Sequence, residues 1–122
     1  MKGKKTDMIH NMKLNDAPFE MIQKGQKTIE LRLNDEKRRL IKTGDRIIFS
    51  KTTEPEKKLE TLVKEIHSFD SFEELYKSLP LEKCGYLPEE IKDASYKDME
   101  EYYSSERQAQ FGVLGIEIVL LK

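Results

Sequence analysis

Apolar residues first fall into a usable spacing at Met8, Met12 and Leu14, which fits a short opening strand. A helix follows. Asp16 is placed to cap it, Pro18 falls in the first turn, where a missing N–H does no harm, and Gly25 can take the left-handed stop. Phe19 and Ile22 share the apolar face of that helix. From Lys27 the period changes to two: Ile29, Leu31 and Leu33 alternate with Thr28, Glu30 and Arg32, as in a half-buried strand. Asn34 to Leu40 is a polar, basic connection, and Lys42-Thr43-Gly44-Asp45 reads as a turn. Arg46 to Ser50 is the next strand, and Thr52 to Lys58, containing Pro55, reads as a hairpin-like loop.

In the second half, Leu59, Leu62, Val63 and Ile66 fit helical spacing better than alternation, so the pattern alone predicts a helix over 59–66. Asp70 and Glu73 form a capping-box pattern ahead of Phe72, Leu75, Tyr76 and Leu79, and Pro80 ends the helix so begun. Residues 81–93 read as a loop with a helical turn after Pro88. Tyr96, Met99, Tyr102 and Tyr103 predict a further helix ending before Phe111. The run from Phe111 to Leu121 is the most strand-like in the chain, and its Gly112 and Gly115 invite a bulge, a bend or a close backbone approach. Short strands with interspersed helices and no regular βαβ alternation predict an α+β fold, a small and mostly antiparallel curled sheet with helices outside it. Its expected core holds Ile29, Leu31, Ile47 or Ile48, Phe49, Ile116 and Ile118.

The length of 122 residues fits one domain, taken as residues 8–122 behind a flexible stretch over 1–7. With 22 basic against 23 acidic residues the net charge is −1, which argues against a long nucleic-acid track gripped through its phosphates. A local basic patch around one small ligand is compatible with that sum. One cysteine, Cys84, gives no internal disulfide, and with His10 and His67 it makes no metal-ligand set, so neither metal nor cofactor is expected. No apolar run approaches the roughly 20 residues of a membrane span, and no apolar leader follows the charged first residues. A cytoplasmic protein without membrane partners is the expectation.

Candidate chemistry concentrates in Gly25-Gln26-Lys27-Thr28-Ile29-Glu30-Leu31-Arg32. Thr28, Glu30 and Arg32 share one strand face, and the carboxylate and guanidinium can pair or meet a planar polar ligand such as a nucleobase. Lys27 has the opposite parity and joins them only if the strand starts irregularly after Gly25. The competing reading makes this the solvated face of an ordinary strand, since polar alternate faces are common in antiparallel sheets. Lys37-Arg38-Arg39 reads as solvated loop, and His67 and Cys84 read as structural. Tyr102 and Tyr103 could stack a base or pack in the core.

The spacing Gly25-x-Lys27-Thr28-x-Glu30-x-Arg32 after a short helix resembles the signature of the ASCH domain, within the PUA-like barrels. Lys42 to Asp45, Phe69 to Leu75, Tyr102-Tyr103-x-x-Glu106 and Phe111 to Ile116 resemble later parts of the same family in the expected order, so the likeness runs from about Met8 onward. It implies a PUA-like β-barrel with flanking helices, a strand rather than a helix over 59–66, and a cleft lined by the first motif and by the helix before the last strand. Members are generally described as RNA- or nucleotide-binding modules. One subgroup hydrolyses the acetyl amide of N4-acetylcytidine with a lysine, a threonine and a glutamate.

Carried onto this chain, the lysine corresponds to Lys27, the threonine position three residues later holds Glu30, and the glutamate corresponds to Glu101 or Glu106. The resemblance thus implies ligand contacts from Lys27, Thr28, Glu30, Arg32, Tyr103 and Glu106, with Lys27 and Glu106 as the catalytic pair if the chain is an enzyme. Glu30 departs from the hydrolytic pattern, and a carboxylate there opposes the charge an attacked carbonyl develops. The leading expectation is a binding module for RNA or a nucleoside-type small molecule. An amidohydrolase acting on an acylated nucleoside and an adaptor domain are the alternatives. The oligomeric state is left open.

Overall fold

The computed structural model describes residues 7–121, so the flexible stretch expected over 1–7 falls, but for Asp7, outside the described residues. Five strands and three helices follow in the order β1 (Ile9–Leu14), α1 (Asp16–Gln23), β2 (Ile29–Leu33), β3 (Arg46–Lys51), β4 (Glu54–Phe69), α2 (Phe72–Ser78), α3 (Ser105–Phe111) and β5 (Val113–Leu120). Short 3-10 turns occupy Arg38–Leu40, Leu81–Cys84, Pro88–Asp93 and Tyr96–Glu101. The strands form one sheet in the order β1-β3-β4-β5-β2. Among the described residues the β1–β3 pair is parallel and the other three pairings are antiparallel. The sheet curls into a half-barrel, and its edge strands are β1 and β2.

Two apolar clusters hold it. One packs α1 against the sheet and takes Met12 and Leu14 from β1, Phe19 and Ile22 from α1, and Ile47, Phe49, Ile116 and Ile118 from the other strands, all buried. The other lies under α2 and joins Ile29, Leu31, Leu33 and Val113 to Phe72 and Leu75. The expected core residues are therefore inside. Ile47 is fully buried and Ile48 half-buried, which settles the choice between them.

The segment 59–66 is strand, and a β-bulge explains its helical spacing. Val63 pairs with Ile118, but the next partner, Glu117, falls to Glu65, leaving Lys64 as an extra residue. The bulge flips the parity, so the inward side reads Leu59, Thr61, Val63 and then Ile66. A period of two broken once by an extra residue imitates a period of 3.6. Thr61 hid the alternation further, because its buried hydroxyl donates to the Ile47 carbonyl at 2.8 Å and so behaves as core.

Other boundaries differ locally. The helix α1 is entered from Asn15, with Asp16 already helical, and α2 is capped by Ser71, whose hydroxyl accepts from the Glu74 N–H at 3.2 Å, one residue after the expected box. The loop over 52–58 shrinks to Thr52-Thr53. Pro55 fits in β4 because Lys51 pairs with Glu54 and Ser50 with Lys58, leaving 55–57 without ladder partners in a register shift. The helix expected from Tyr96 breaks into the 3-10 turn 96–101 and then α3, where Ser104 supplies a new N-cap to the Arg107 N–H.

Gly112 and Gly115 serve different purposes, and the first is the more constrained. Gly112 has φ +75° and ψ −177°, a region nearly closed to other residues, and a Cβ there would sit 3.0 Å from the Phe69 carbonyl oxygen. Gly115 lies under α2, where a Cβ would come within 2.5 Å of the Leu79 Cδ1. The first turns the chain from α3 into β5, and the second lets α2 approach the sheet.

Candidate functional site

The residues after α1 set up the site. Gly25 has φ +83°, and the chain doubles back so that the N–H groups of both Gln26 and Lys27 donate to the Met21 carbonyl. Thr28 then donates to the Lys83 carbonyl, and the ladder begins only at Ile29. This irregular start takes Lys27 out of alternation and turns its side chain to the side of Glu30. Ile29, Leu31 and Leu33 face the cluster under α2, so Glu30 and Arg32 point the other way. That polar face is not solvated. Lys27 and Glu30 are 7% and 4% exposed.

An ordered chain of charges results. The Lys27 ammonium donates to the Ile29 carbonyl at 3.0 Å and to the Cys84 carbonyl at 2.9 Å, and meets Glu30 Oε1 at 3.2 Å. Arg32 Nε donates to Glu30 Oε2 at 2.6 Å, and Arg32 Nη2 donates to the Lys13 carbonyl at 2.9 Å. Two protons of the ammonium have carbonyl acceptors, its charge is paired with Glu30, and both carboxylate oxygens have a cationic partner. Burial pushes the Glu30 carboxyl up, but the charges of Lys27 and Arg32 outweigh it and hold the group below the ordinary range. Burial likewise lowers the Arg32 guanidinium, and Glu30 more than restores it. The three groups together keep one net positive charge.

They lie in a cleft of about 460 Å³, between the edges of the half-barrel, that also receives Lys13, Tyr103 and Glu101. Its far wall carries Tyr76, Tyr86 and Asp98, joined by a 2.7 Å bond between the two hydroxyls and a 2.6 Å bond from the Tyr86 hydroxyl to the Asp98 carboxylate. Burial pushes the Tyr76 phenol up to about 12, and burial with its bond to Asp98 pushes Tyr86 up further, so both are protonated at neutral pH. Tyr102 stands at the cleft 62% exposed, whereas the Tyr103 ring stacks on Phe72 with centroids 6.1 Å apart. Gly85 passes so close to Lys27 that a Cβ there would lie 3.4 Å from the lysine Cδ.

Lys27, Glu30, Arg32 and Tyr103 are thus brought together. Thr28 and Glu106 are not. Thr28 lines a smaller hollow with Lys64 and Lys83, because its N–H is pinned to Lys83 and its carbonyl to Ile118 before alternation begins. Glu106 is exposed in the first turn of α3, away from the cleft lining, since the break after Glu101 reorients the chain. Of the two glutamates left open, Glu101 reaches the cleft. Sequence reasoning missed Tyr86 and Asp98 and read Tyr76 only as helix stripe. A loop tyrosine and an aspartate 12 residues later carry no periodic signal.

The remaining candidates have partners within the protein. Burial raises the Cys84 thiol to about 11, and the sulfur donates to the Pro80 carbonyl at 3.5 Å. Arg38 pairs with Asp35 at 2.9 Å. His10 bonds the buried Asp45 at 2.8 Å, and Asp45 also receives the Met8 and Lys42 N–H groups, which ties β1 to the turn before β3. The ligand atoms of Glu65, His67 and Glu117 lie within 4.8 Å of one another, a grouping that the 2.6 Å bond between His67 and Glu117 accounts for. No helix among the described residues is long and apolar enough to cross a membrane.

A protein-family model described as the ASCH domain matches residues 12–122. The crystal structure of hypothetical protein PH0355 is similar with a TM-score of 0.79 and 38% identity, over 93% of this chain and 100% of that one. The solution structure of protein PF0455 from Pyrococcus furiosus is similar with a TM-score of 0.68 and 34% identity, over 94% of this chain and 99% of that one. No curated protein matches.

Proposed function

The chain belongs to the ASCH domain family, linked in general to RNA and nucleotide binding, and from that premise we propose that it binds a nucleobase or modified nucleoside in this cleft without hydrolysing it. The observation that carries the reading is the engagement of Lys27. An ammonium held by two carbonyls and ion-paired with a carboxylate is tied down by the protein and poorly placed to attack, deprotonate or cradle an oxyanion. Glu30 occupies the place where the hydrolytic subgroup has a hydroxyl, and both its oxygens are engaged. The volume lies within the usual range for small-ligand sites, about 300–1,000 Å³. The aromatic and charged lining supplies stacking and edge contacts of the kind that recognise unstacked bases without a large basic surface.

Arg32 is the cation with capacity to spare, since Nη1 has no partner among the described residues. Calorimetric titration with nucleosides and short single-stranded RNA tests the reading. Binding that weakens about 10- to 100-fold in Arg32→Ala supports it, the loss expected of one charge-assisted contact. Incubation with N4-acetylcytidine beside a Lys27→Ala control completes the test. Robust cytidine release that vanishes in the control would instead make the chain a hydrolase.

A further inference from the structure

The far wall of the cleft has a fixed hydrogen-bond polarity. The Asp98 carboxylate accepts the Tyr86 hydroxyl proton at 2.6 Å and the Ser95 N–H at 3.2 Å, so Tyr86 has no other proton to give. The 2.7 Å bond between Tyr76 and Tyr86 must then carry the Tyr76 proton onto the Tyr86 oxygen. Both hydroxyl protons are consumed inside the relay. Towards the cleft the wall shows lone pairs alone, from Tyr76, Tyr86 and the carboxylate. Arg32, in the lining of the same cleft, shows donors alone, because a guanidinium has no acceptor.

From this asymmetry we infer that the cleft selects a base bearing an exocyclic amine beside a ring-nitrogen acceptor, as in cytosine or adenine, against its oxo counterpart. The inference rests on the nucleobase-binding reading above and adds the base class. An amino group meets the tyrosine–aspartate wall as a donor. The carbonyl that replaces it in uracil or hypoxanthine would face the lone pairs of this half-exposed wall with no proton between, so an oxo base must either forgo that contact or turn to present its ring N–H instead. Cytosine keeps O2 as an acceptor for the guanidinium side. The relay therefore works as a filter on one atom of the base, set by a carboxylate that stands two hydrogen bonds away from Tyr76, through the Tyr86 hydroxyl.

The experiment compares cytidine with uridine, and adenosine with inosine, by calorimetric titration of the full chain and two variants. Wild type should bind each amino base about tenfold more tightly than its oxo partner. Tyr86→Phe removes the proton sink and frees the Tyr76 hydroxyl to donate, so uridine and inosine should gain and the ratio should fall towards unity. Tyr76→Phe keeps the Tyr86–Asp98 bond. It should weaken cytidine without strengthening uridine, and it decides the matter if Tyr86→Phe melts below the assay temperature. Equal affinity for amino and oxo bases in wild type, or a ratio that neither variant changes, would overturn the inference and leave the nucleobase reading standing. Failure of all four nucleosides and of RNA to bind would overturn both.

Discussion

Replacing Glu30 by Gln keeps the shape of the side chain and removes its charge. Glu30 is 4% exposed and sits between Lys27 at 3.2 Å and Arg32 at 2.6 Å, so the change takes the buried group from one net positive charge to two. Removing one partner of a buried ion pair typically costs about 3–5 kcal/mol, because the charge left behind can neither reach water nor find a substitute. For a domain of this size each kcal/mol moves the melting point by roughly 4 °C, so a fall of roughly 12–20 °C is expected. The effect also has a pH signature. The folded-state pKa of Glu30 lies below its ordinary value of 4.5, so its contribution is fully present above that value. It is lost as the pH falls from there through the folded value. Urea denaturation of wild type and variant should therefore show a gap that is constant near neutrality and narrows below pH 4.5. A neutral-pH loss under about 1 kcal/mol, with no narrowing in acid, would match an exposed pair and refute the buried triad.

Gly112→Ala should cost about 1–3 kcal/mol in chemical denaturation, because φ +75° with an extended ψ excludes a Cβ that would also press on the Phe69 carbonyl. A neutral result would show that the turn into β5 can relax. Cys84, buried and with its thiol raised to about 11, should resist a thiol-reactive disulfide reagent at pH 8 in the native protein and react at once in urea. Equal native and unfolded rates would mean that the turn Leu81–Cys84 opens readily.

Where one physical pattern spoke alone, the sequence was legible. The alternation of Ile29, Leu31 and Leu33 and the apolar run of β5 survive intact, and the family resemblance corrected 59–66 where periodicity misled. The polarity of β2 was the harder matter. A face of Thr, Glu and Arg reads as solvated, and only the approach of the far sheet edge and the turn at Cys84 buries it. That closure is tertiary, with contacts 19 and 57 residues apart in sequence, so no local window contains it. The tyrosine–aspartate wall escaped notice for the same reason, since it is built on 3-10 turns and loops with no period to detect.

The bond from Arg32 to the Lys13 carbonyl joins the two outermost strands, which the sheet order places at opposite ends. The cleft is therefore the unsewn seam of the barrel, and Arg32 is a stitch across it. The ladders of β1 and β2 run to their inner neighbours and not across the seam, so side chains along it can be exchanged without breaking a row of main-chain bonds. Evolution is free to retailor such a site for new ligands while the cloth on either side stays whole. The same stitch keeps each raw edge facing the other, which withholds from neighbouring molecules the open strand they would need to aggregate.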